Sequence, residues 1–330
     1  MADGRDVSTA LAGVRALLTD AAAHYRIALH SCPDAVEYLQ YRGIGDAVAA
    51  RFGLGYARPT WRDLGDVFRR HGDDAVSSSG LVISTGKGEQ VQHYDRFRSR
   101  LIFPIRTCEG DIAGFGGRIL DGGEPPKYIN SPEGAGFKKR ELLYGLYEAQ
   151  SAIQAENMAL VVEGYLDVLT LAQAGFGPVV ATLGTACSAT QISHLLTMTH
   201  RVVFCFDGDA AGRRAAARAL ETILPYATDM NSIAFVFLPT DHDPDSFVRS
   251  LGVELLRTEI AAALPLNAFL LQRITDGAEL RYAEGRALCV ARARPLWLAM
   301  PDGQARDYLL RYCAGLLKFD IEDVRGMWLK

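Results

Sequence analysis

A parallel α/β sheet, with a mixed α+β region before it and a small helical bundle after it, is the fold class the sequence predicts. Three observations carry it. Four largely apolar runs, 158–162, 178–182, 201–206 and 232–238, alternate with segments of helical spacing. Strands that are apolar along their whole length are buried on both faces, the condition of a parallel sheet covered by helices. Residues 1 to about 155 instead carry short apolar runs bounded by glycine, and residues 251–330 are rich in Ala, Leu and Arg. The expected parts are therefore 1–156, 157–250 and 251–330.

Each element has its own signal. Apolar spacing predicts a helix over 14–28, and Cys32-Pro33-Asp34 separates it from a second helical stretch at 35–41. Leu81-Val82-Ile83, Leu101-Ile102-Phe103-Pro104-Ile105 and the run from Ile112 to Arg118 read as strands and hairpins. Residues 122–136 are rich in Gly and Pro and read as a loop. Helical spacing over 165–174 ends at Gly175, and Ser188 is placed to cap a helix running to Met198. The Ala/Arg-rich segment 210–224 is strongly helical. Breaks at Pro265, Asp276-Gly277 and Pro301-Asp302-Gly303 divide the last part into a bundle.

Composition narrows the function. With 330 residues, 49% of them hydrophobic, the chain can build more than one core. No apolar run approaches the ~20 residues of a membrane span, and no apolar signal segment follows the polar start. A cytoplasmic protein without a membrane partner is expected. Cys32, Cys108, Cys187, Cys205, Cys289 and Cys313 form no Cys-x-x-Cys pair, so no zinc site is expected in this chain. The net charge of −4 hides an asymmetry. Residues 91–140 hold nine basic side chains against six acidic ones, a balance of +3, which leaves −7 for the remainder. A locally basic stretch suits a polyanion, although on charge alone a solvated arginine-rich loop face accounts for it.

The acids are placed less blandly. Glu163 follows the first predicted strand of the sheet, Asp207 and Asp209 follow the third, and Asp241, Asp243 and Asp245 follow the fourth. The carboxyl ends of parallel strands share one edge, where ligands bind. Carboxylates gathered there raise one another's pKa unless a cation neutralises them, and hard oxygen donors select Mg²⁺ or Mn²⁺. Gly208 suits a turn that brings Asp207 and Asp209 to one ion. Asp209 is also well placed to cap the helix that follows it. A single Asp-x-Asp leaves cap and ligand equally open, whereas three acidic segments on one edge favour the metal.

These residues carry a resemblance. Val161-Val162-Glu163-Gly164-Tyr165-Leu166-Asp167, Leu183-Gly184-Thr185 and Phe206-Asp207-Gly208-Asp209-Ala210-Ala211-Gly212 resemble the Toprim domain shared by topoisomerases and bacterial primases, in its DnaG-type primase form. The run from Arg96 through Ile105 resembles the primase segment ahead of that domain. So do Gly114-Phe115-Gly116-Gly117-Arg118, Pro126-Lys127-Tyr128-Ile129-Asn130-Ser131 and Leu143-Tyr144-Gly145-Leu146. Asp243-Pro244-Asp245 looks like the family's distal acidic motif. The resemblance extends from about Tyr38 to the end of the chain.

What it implies is a primase catalytic core: short RNA primers made on single-stranded DNA from ribonucleoside triphosphates, with an RNA–DNA hybrid as product. Glu163, Asp207 and Asp209 would be catalytic, and with Asp243 and Asp245 would hold the metal. Glu163 is either ligand or general base. Arg42, Arg96, Arg98, Arg100, Arg118, Lys127 and Lys139 would hold template or nucleotide phosphates. Asp167 is either an auxiliary acid or an exposed first-turn helix residue. Gly184 and Thr185 either line the crevice or form a capped turn. Tyr94 and Tyr128 either stack a base or pack. The family's zinc-binding and helicase-binding modules are expected to lie outside this chain, so the replicative helicase would be met through modules absent here. The chain reads as an excised core or a naturally reduced primase. A Toprim nuclease or topoisomerase, or a non-catalytic metal- or nucleotide-binding replication module, are the rival readings.

Overall fold

The computed structural model describes residues 4–85, 92–120, 125–134, 136–184 and 186–330, with side chains from residue 9 onward. The predicted fold class is the one observed. The chain forms two compact units, and both are discontinuous: residues 1–150 with 164–185, and residues 151–163 with 186–330.

The first unit begins with α1 (Gly4–His30), α2 (Pro33–Tyr41) and α3 (Asp46–Arg51). Val14, Leu17, Leu18, Ala21, Tyr25 and Ala28 of α1 are buried, at the three- and four-residue spacing of a core-facing stripe. β1 (Gly55–Ala57), the short helices α4 (Gly65–Phe68) and α5 (Asp73–Ser78), and the hairpin of β2 (Val82–Thr85) and β3 (Gln92–Asp95) follow. β4 (Arg100–Arg106), β5 (Ile112–Ile119) and β6 (Tyr128–Asn130) complete an antiparallel sheet of order β1-β4-β5-β6. The presence of β6 corrects the expectation of a loop over 122–136, of which 122–124 and 135 lie outside the described residues. Three backbone pairings to β5 hold the strand, a tertiary reward that its own sequence does not advertise.

After α6 (Leu146–Glu156), whose residues fall in both units, come β7 (Ala159–Val162), α7 (Tyr165–Gln173) and β8 (Val179–Ala181). β7 belongs to the second unit, but α7 and β8 belong to the first. Tyr165 shows why. Its ring stacks on Phe103 at 4.9 Å, and its hydroxyl donates to Asn130 Oδ1 at 2.7 Å. A Cβ at Gly116 would come within 2.6 Å of that ring, so only glycine allows the approach.

The second unit continues with α8 (Ala189–Met198), β9 (Arg201–Phe206), α9 (Ala210–Ile223) and β10 (Ser232–Phe237). Ser188 caps α8 as expected, accepting from the Gln191 N–H. β10, β9 and β7 are parallel neighbours in that order. α10 (Pro244–Leu251) and α11 (Val253–Ala261) precede β11 (Leu264–Pro265), which pairs antiparallel with β10. Helices α12 (Leu266–Thr275), α13 (Ala283–Ala299), α14 (Gln304–Leu317) and α15 (Ile321–Trp328) form the terminal helical region, interrupted at the predicted breaks.

Candidate active site: an acidic strand edge and a basic aromatic face

Parallel register sets the acids. Phe206 pairs with Phe237, and Val161 pairs with Phe204, so β7, β9 and β10 end close together along one edge. The next residues are Glu163, Asp207 and, after a short loop, Asp243. Burial, followed by the charges of Glu163, Asp243 and Asp209, pushes the Asp207 carboxyl up to about 6. Burial also raises Glu163, with Arg218 opposing and Asp209 adding to the rise. Glu163, Asp209 and Asp243 remain exposed residues. The four carboxylates thus share one electrostatic environment.

Both caps and donors are present. Asp209 accepts from the Gly212 N–H at 2.7 Å, and Asp243 accepts from the Ser246 N–H at 2.7 Å. The capping role expected for Asp209 is therefore real. It does not exhaust the group, since a carboxylate has about four lone-pair sites. Asp245 stands apart. It is buried, and Arg249 holds both its oxygens at 2.9 and 3.2 Å. Neither Asp245 nor exposed Asp241 is among the charges acting on Asp207.

Gly208 has a different purpose from the one its sequence suggests. A Cβ there would lie 2.1 Å from the Leu238 carbonyl oxygen and 2.3 Å from that of Pro239. The turn bearing Asp207 and Asp209 is thus pressed on the backbone leading to Asp243, and close approach is what demands glycine. Gly208→Ala is expected to destabilise by about 1–3 kcal/mol. A urea midpoint equal to that of the unsubstituted chain would refute the close approach.

The site fits a divalent cation chemically. Among the described residues no Lys or Arg forms an ion pair with Glu163, Asp207, Asp209 or Asp243. An uncompensated set of oxygen donors at one edge is what Mg²⁺ or Mn²⁺ neutralises. Among the described residues, no three His, Cys, Asp or Glu side chains are already gathered as a metal cage.

The basic residues belong to the first unit and divide into two kinds. Lys127 is exposed, Lys139 is half-buried, and Arg98 lies 4.4 Å from the Trp61 ring centroid and 4.9 Å from that of Tyr94. Trp61 is 63% exposed and packs edge-on to Tyr94 at 5.2 Å. By contrast, Arg96 donates to the Asn130 carbonyl at 3.1 Å, and buried Arg100 donates to the Lys127 carbonyl at 3.3 Å. Arg118 is 2% exposed, over Tyr38 at 4.5 Å and Tyr128 at 5.8 Å. Arg42 also lies over Tyr38, at 5.5 Å. The Tyr128 hydroxyl is pushed up to about 12, mainly by burial, with Arg118 opposing.

Asp167 is not an exposed helix residue. It is buried, accepts from the Gly164 N–H at 3.0 Å and adds its charge at Tyr128. Gly184 is exposed with φ +76°, next to Leu183, whose carbonyl accepts from Asn130 at 3.2 Å. Thr185 lies outside the described residues. Sequence reasoning missed Tyr38, Trp61 and Arg218. An aromatic three or four residues before a basic position, as Tyr38 stands to Arg42, was the available signal for the first.

Comparison with known proteins agrees with this geometry. Residues 24–150 match the family described as the N-terminal domain of the DNA primase catalytic core, and residues 160–248 match the Toprim-like family. Residues 268–322 match the family described as the DnaB-helicase binding domain of primase. That match corrects the expectation that such a module lies wholly outside the chain: a helical stretch with no acidic or cysteine motif carries little signal by eye. A DNA primase of Neisseria meningitidis is 44% identical over 280 residues, covering 84% of this chain and 46% of the relative. The chain thus spans about half the length of the curated relatives it matches. The solved structure of a DNA primase domain from Pseudomonas aeruginosa is 40% identical, with a TM-score of 0.89, and covers 96% of this chain and 100% of that one. A DnaG primase catalytic domain bound to single-stranded DNA is 39% identical, with a TM-score of 0.87 and coverages of 96% and 99%. At this identity and coverage, with the acidic edge in place, the chain belongs to the family of DnaG-type DNA primase catalytic cores.

Proposed function

We propose that the chain synthesises short RNA primers on single-stranded DNA for replication, by metal-dependent nucleotidyl transfer. The observation that carries this is the placing of Glu163, Asp207 and Asp243 after three neighbouring parallel strands, with Asp209 beside them and no ion pair to Lys or Arg among the described residues. Family membership and a relative bound to single-stranded DNA support it. Residues 1–156, 157–250 and 251–330 then divide the work into template and nucleotide holding, chemistry, and helical support.

Mg²⁺ or Mn²⁺, held by Glu163, Asp207, Asp209 and Asp243, would neutralise phosphates and lower the pKa of the attacking hydroxyl. A 3′-hydroxyl attacks the α-phosphate of a ribonucleoside triphosphate, the new P–O bond forms, and pyrophosphate leaves. Glu163, exposed and with a raised pKa, is also suited to take the hydroxyl proton. Asp245, tied to Arg249, orients the first turn of α10 behind Asp243, and to bind an ion it would have to give up that arginine. Lys127, Lys139, Arg98 and Arg42 hold phosphates, with Trp61 and Tyr94 offering ring faces for bases. Arg96, Arg100, Arg118 and Asp167 shape that face, and exposed Gly184 belongs to the same unit. Residues 268–322 are assigned to the replicative helicase as partner. Primer synthesis of this kind belongs in the bacterial cytoplasm, and no described helix is long and apolar enough to cross a membrane.

Labelled ribonucleotide incorporation on single-stranded DNA, with and without Mg²⁺ or Mn²⁺, is the test. Glu163→Gln is expected to lower kcat by about 10²–10⁴-fold with an unchanged circular dichroism spectrum. Full incorporation by that variant would overturn the assignment.

A further inference from the structure

Helix α9 carries a feature that the acidic edge does not explain. Arg213, Arg214 and Arg218 are all exposed, whereas Gly212, Ala216, Ala219, Leu220 and Ile223 are buried. At 3.6 residues per turn the three arginines fall within an arc of about 140°, opposite the buried stripe. Arg214 and Arg218 are four residues apart, a destabilising spacing for like charges. Among the described residues none of the three makes an ion pair, and exposed Glu221, one turn beyond Arg218, does not neutralise it.

The ridge is fixed at the catalytic edge rather than elsewhere on the surface. The Arg213 guanidinium lies 5.4 Å from the Phe237 ring centroid. Phe237 stacks on Phe206 at 6.1 Å and pairs with it in register, and Phe206 is followed by Asp207. From Arg213 to Arg218 the helix rises about 7.5 Å. Guanidinium forks suit phosphate oxygens.

We propose that Arg213, Arg214 and Arg218 form a phosphate-gripping ridge on α9 that binds the phosphodiester backbone of the RNA–DNA hybrid beside the acidic edge. The proposal rests on the primer-synthesis reading. It gives the second unit its own hold on product, separate from the basic residues of the first.

The test is the double variant Arg214→Gln/Arg218→Gln, with Arg213 left on Phe237. Binding of a fluorescent RNA–DNA hybrid is followed by anisotropy across salt concentrations, without triphosphates, so that no turnover intervenes. The hybrid Kd is expected to rise about tenfold, and the salt slope to become shallower by about 1.4–1.8, at ~0.7–0.9 per lost phosphate contact. The thermal midpoint and the KM for ATP should stay as they are, and Arg214→Lys/Arg218→Lys should keep most of the affinity. Unchanged hybrid affinity and slope overturn the ridge. So does a raised KM for ATP with unchanged hybrid binding, which assigns the guanidiniums to the triphosphate. Incorporation by the unsubstituted chain is measured in parallel. A chain that loses hybrid affinity with the arginines but incorporates nothing refutes primer synthesis and keeps the ridge, whereas incorporation with unaltered binding in the variant refutes the ridge alone.

Discussion

Asp207→Asn should make the metal-free chain more stable at pH 7 while removing ribonucleotide incorporation. The sign follows from the proton. Unfolded, an aspartate titrates near 3.9, whereas folded Asp207 titrates at about 6, chiefly through burial and then through Glu163, Asp243 and Asp209. The folded state therefore holds this proton more tightly between about pH 4 and pH 6. The stability it contributes is present in full below about pH 4 and is lost as pH rises through about 6. Above that, an ionised Asp207 opposes folding. Two units at about 1.36 kcal/mol each set an upper bound of about 3 kcal/mol. Solvent at this partly exposed edge reduces it to about 1 kcal/mol. The substitution should raise the thermal midpoint by about 2–4 °C. Mg²⁺ should raise the midpoint of the unsubstituted chain at pH 7.5, should do so far less at pH 5, where protons compete for the donors, and should leave Asp207→Asn unmoved. A variant that melts below the unsubstituted chain without metal would show that the carboxylates are not in conflict.

How far the sequence discloses this depends on the range of the interaction. β9 is legible in the sequence, because Val202 to Phe206 is apolar without interruption and bounded by Arg201 and Asp207. Ser188 is legible because a cap and its Gln191 partner are local. The edge acids are legible because parallel strands put their carboxyl ends together. What is hidden is contact between segments far apart in the chain. Nothing in Tyr165 announces that its ring meets Gly116 and Phe103, so nothing announces that 164–185 leaves its neighbours for the first unit. Asp-Gly-Asp spells a turn, but the carbonyls of Leu238 and Pro239 that make the glycine compulsory come from the loop after β10. Charge composition is weakest of all: Lys127 and Arg118 count equally in a sum, yet one is exposed and the other is 2% exposed.

That difference yields the second large effect. Arg118→Ala should cost the first unit about 2–4 kcal/mol, where Lys127→Ala should cost less than about 0.5 kcal/mol. The Arg118 stem is buried in β5, its guanidinium lies over the rings of Tyr38 and Tyr128, and Nη1 donates to the Ile119 carbonyl at 3.3 Å. Truncation removes a desolvated cation–π contact of about 2 kcal/mol and leaves a void under both rings. Arg118→Lys keeps the charge but loses the planar stack, so an intermediate loss is expected. Lys127 acts at longer range through its charge. Its alanine variant should bind single-stranded DNA more weakly, with a salt slope shallower by about 0.7, at an unchanged thermal midpoint. Thermal melts and salt-dependent DNA titrations of the three variants separate the cases. Arg118→Ala with an unchanged midpoint and weakened DNA binding would place its guanidinium on phosphate, as the resemblance to primases implies, rather than over the rings of Tyr38 and Tyr128.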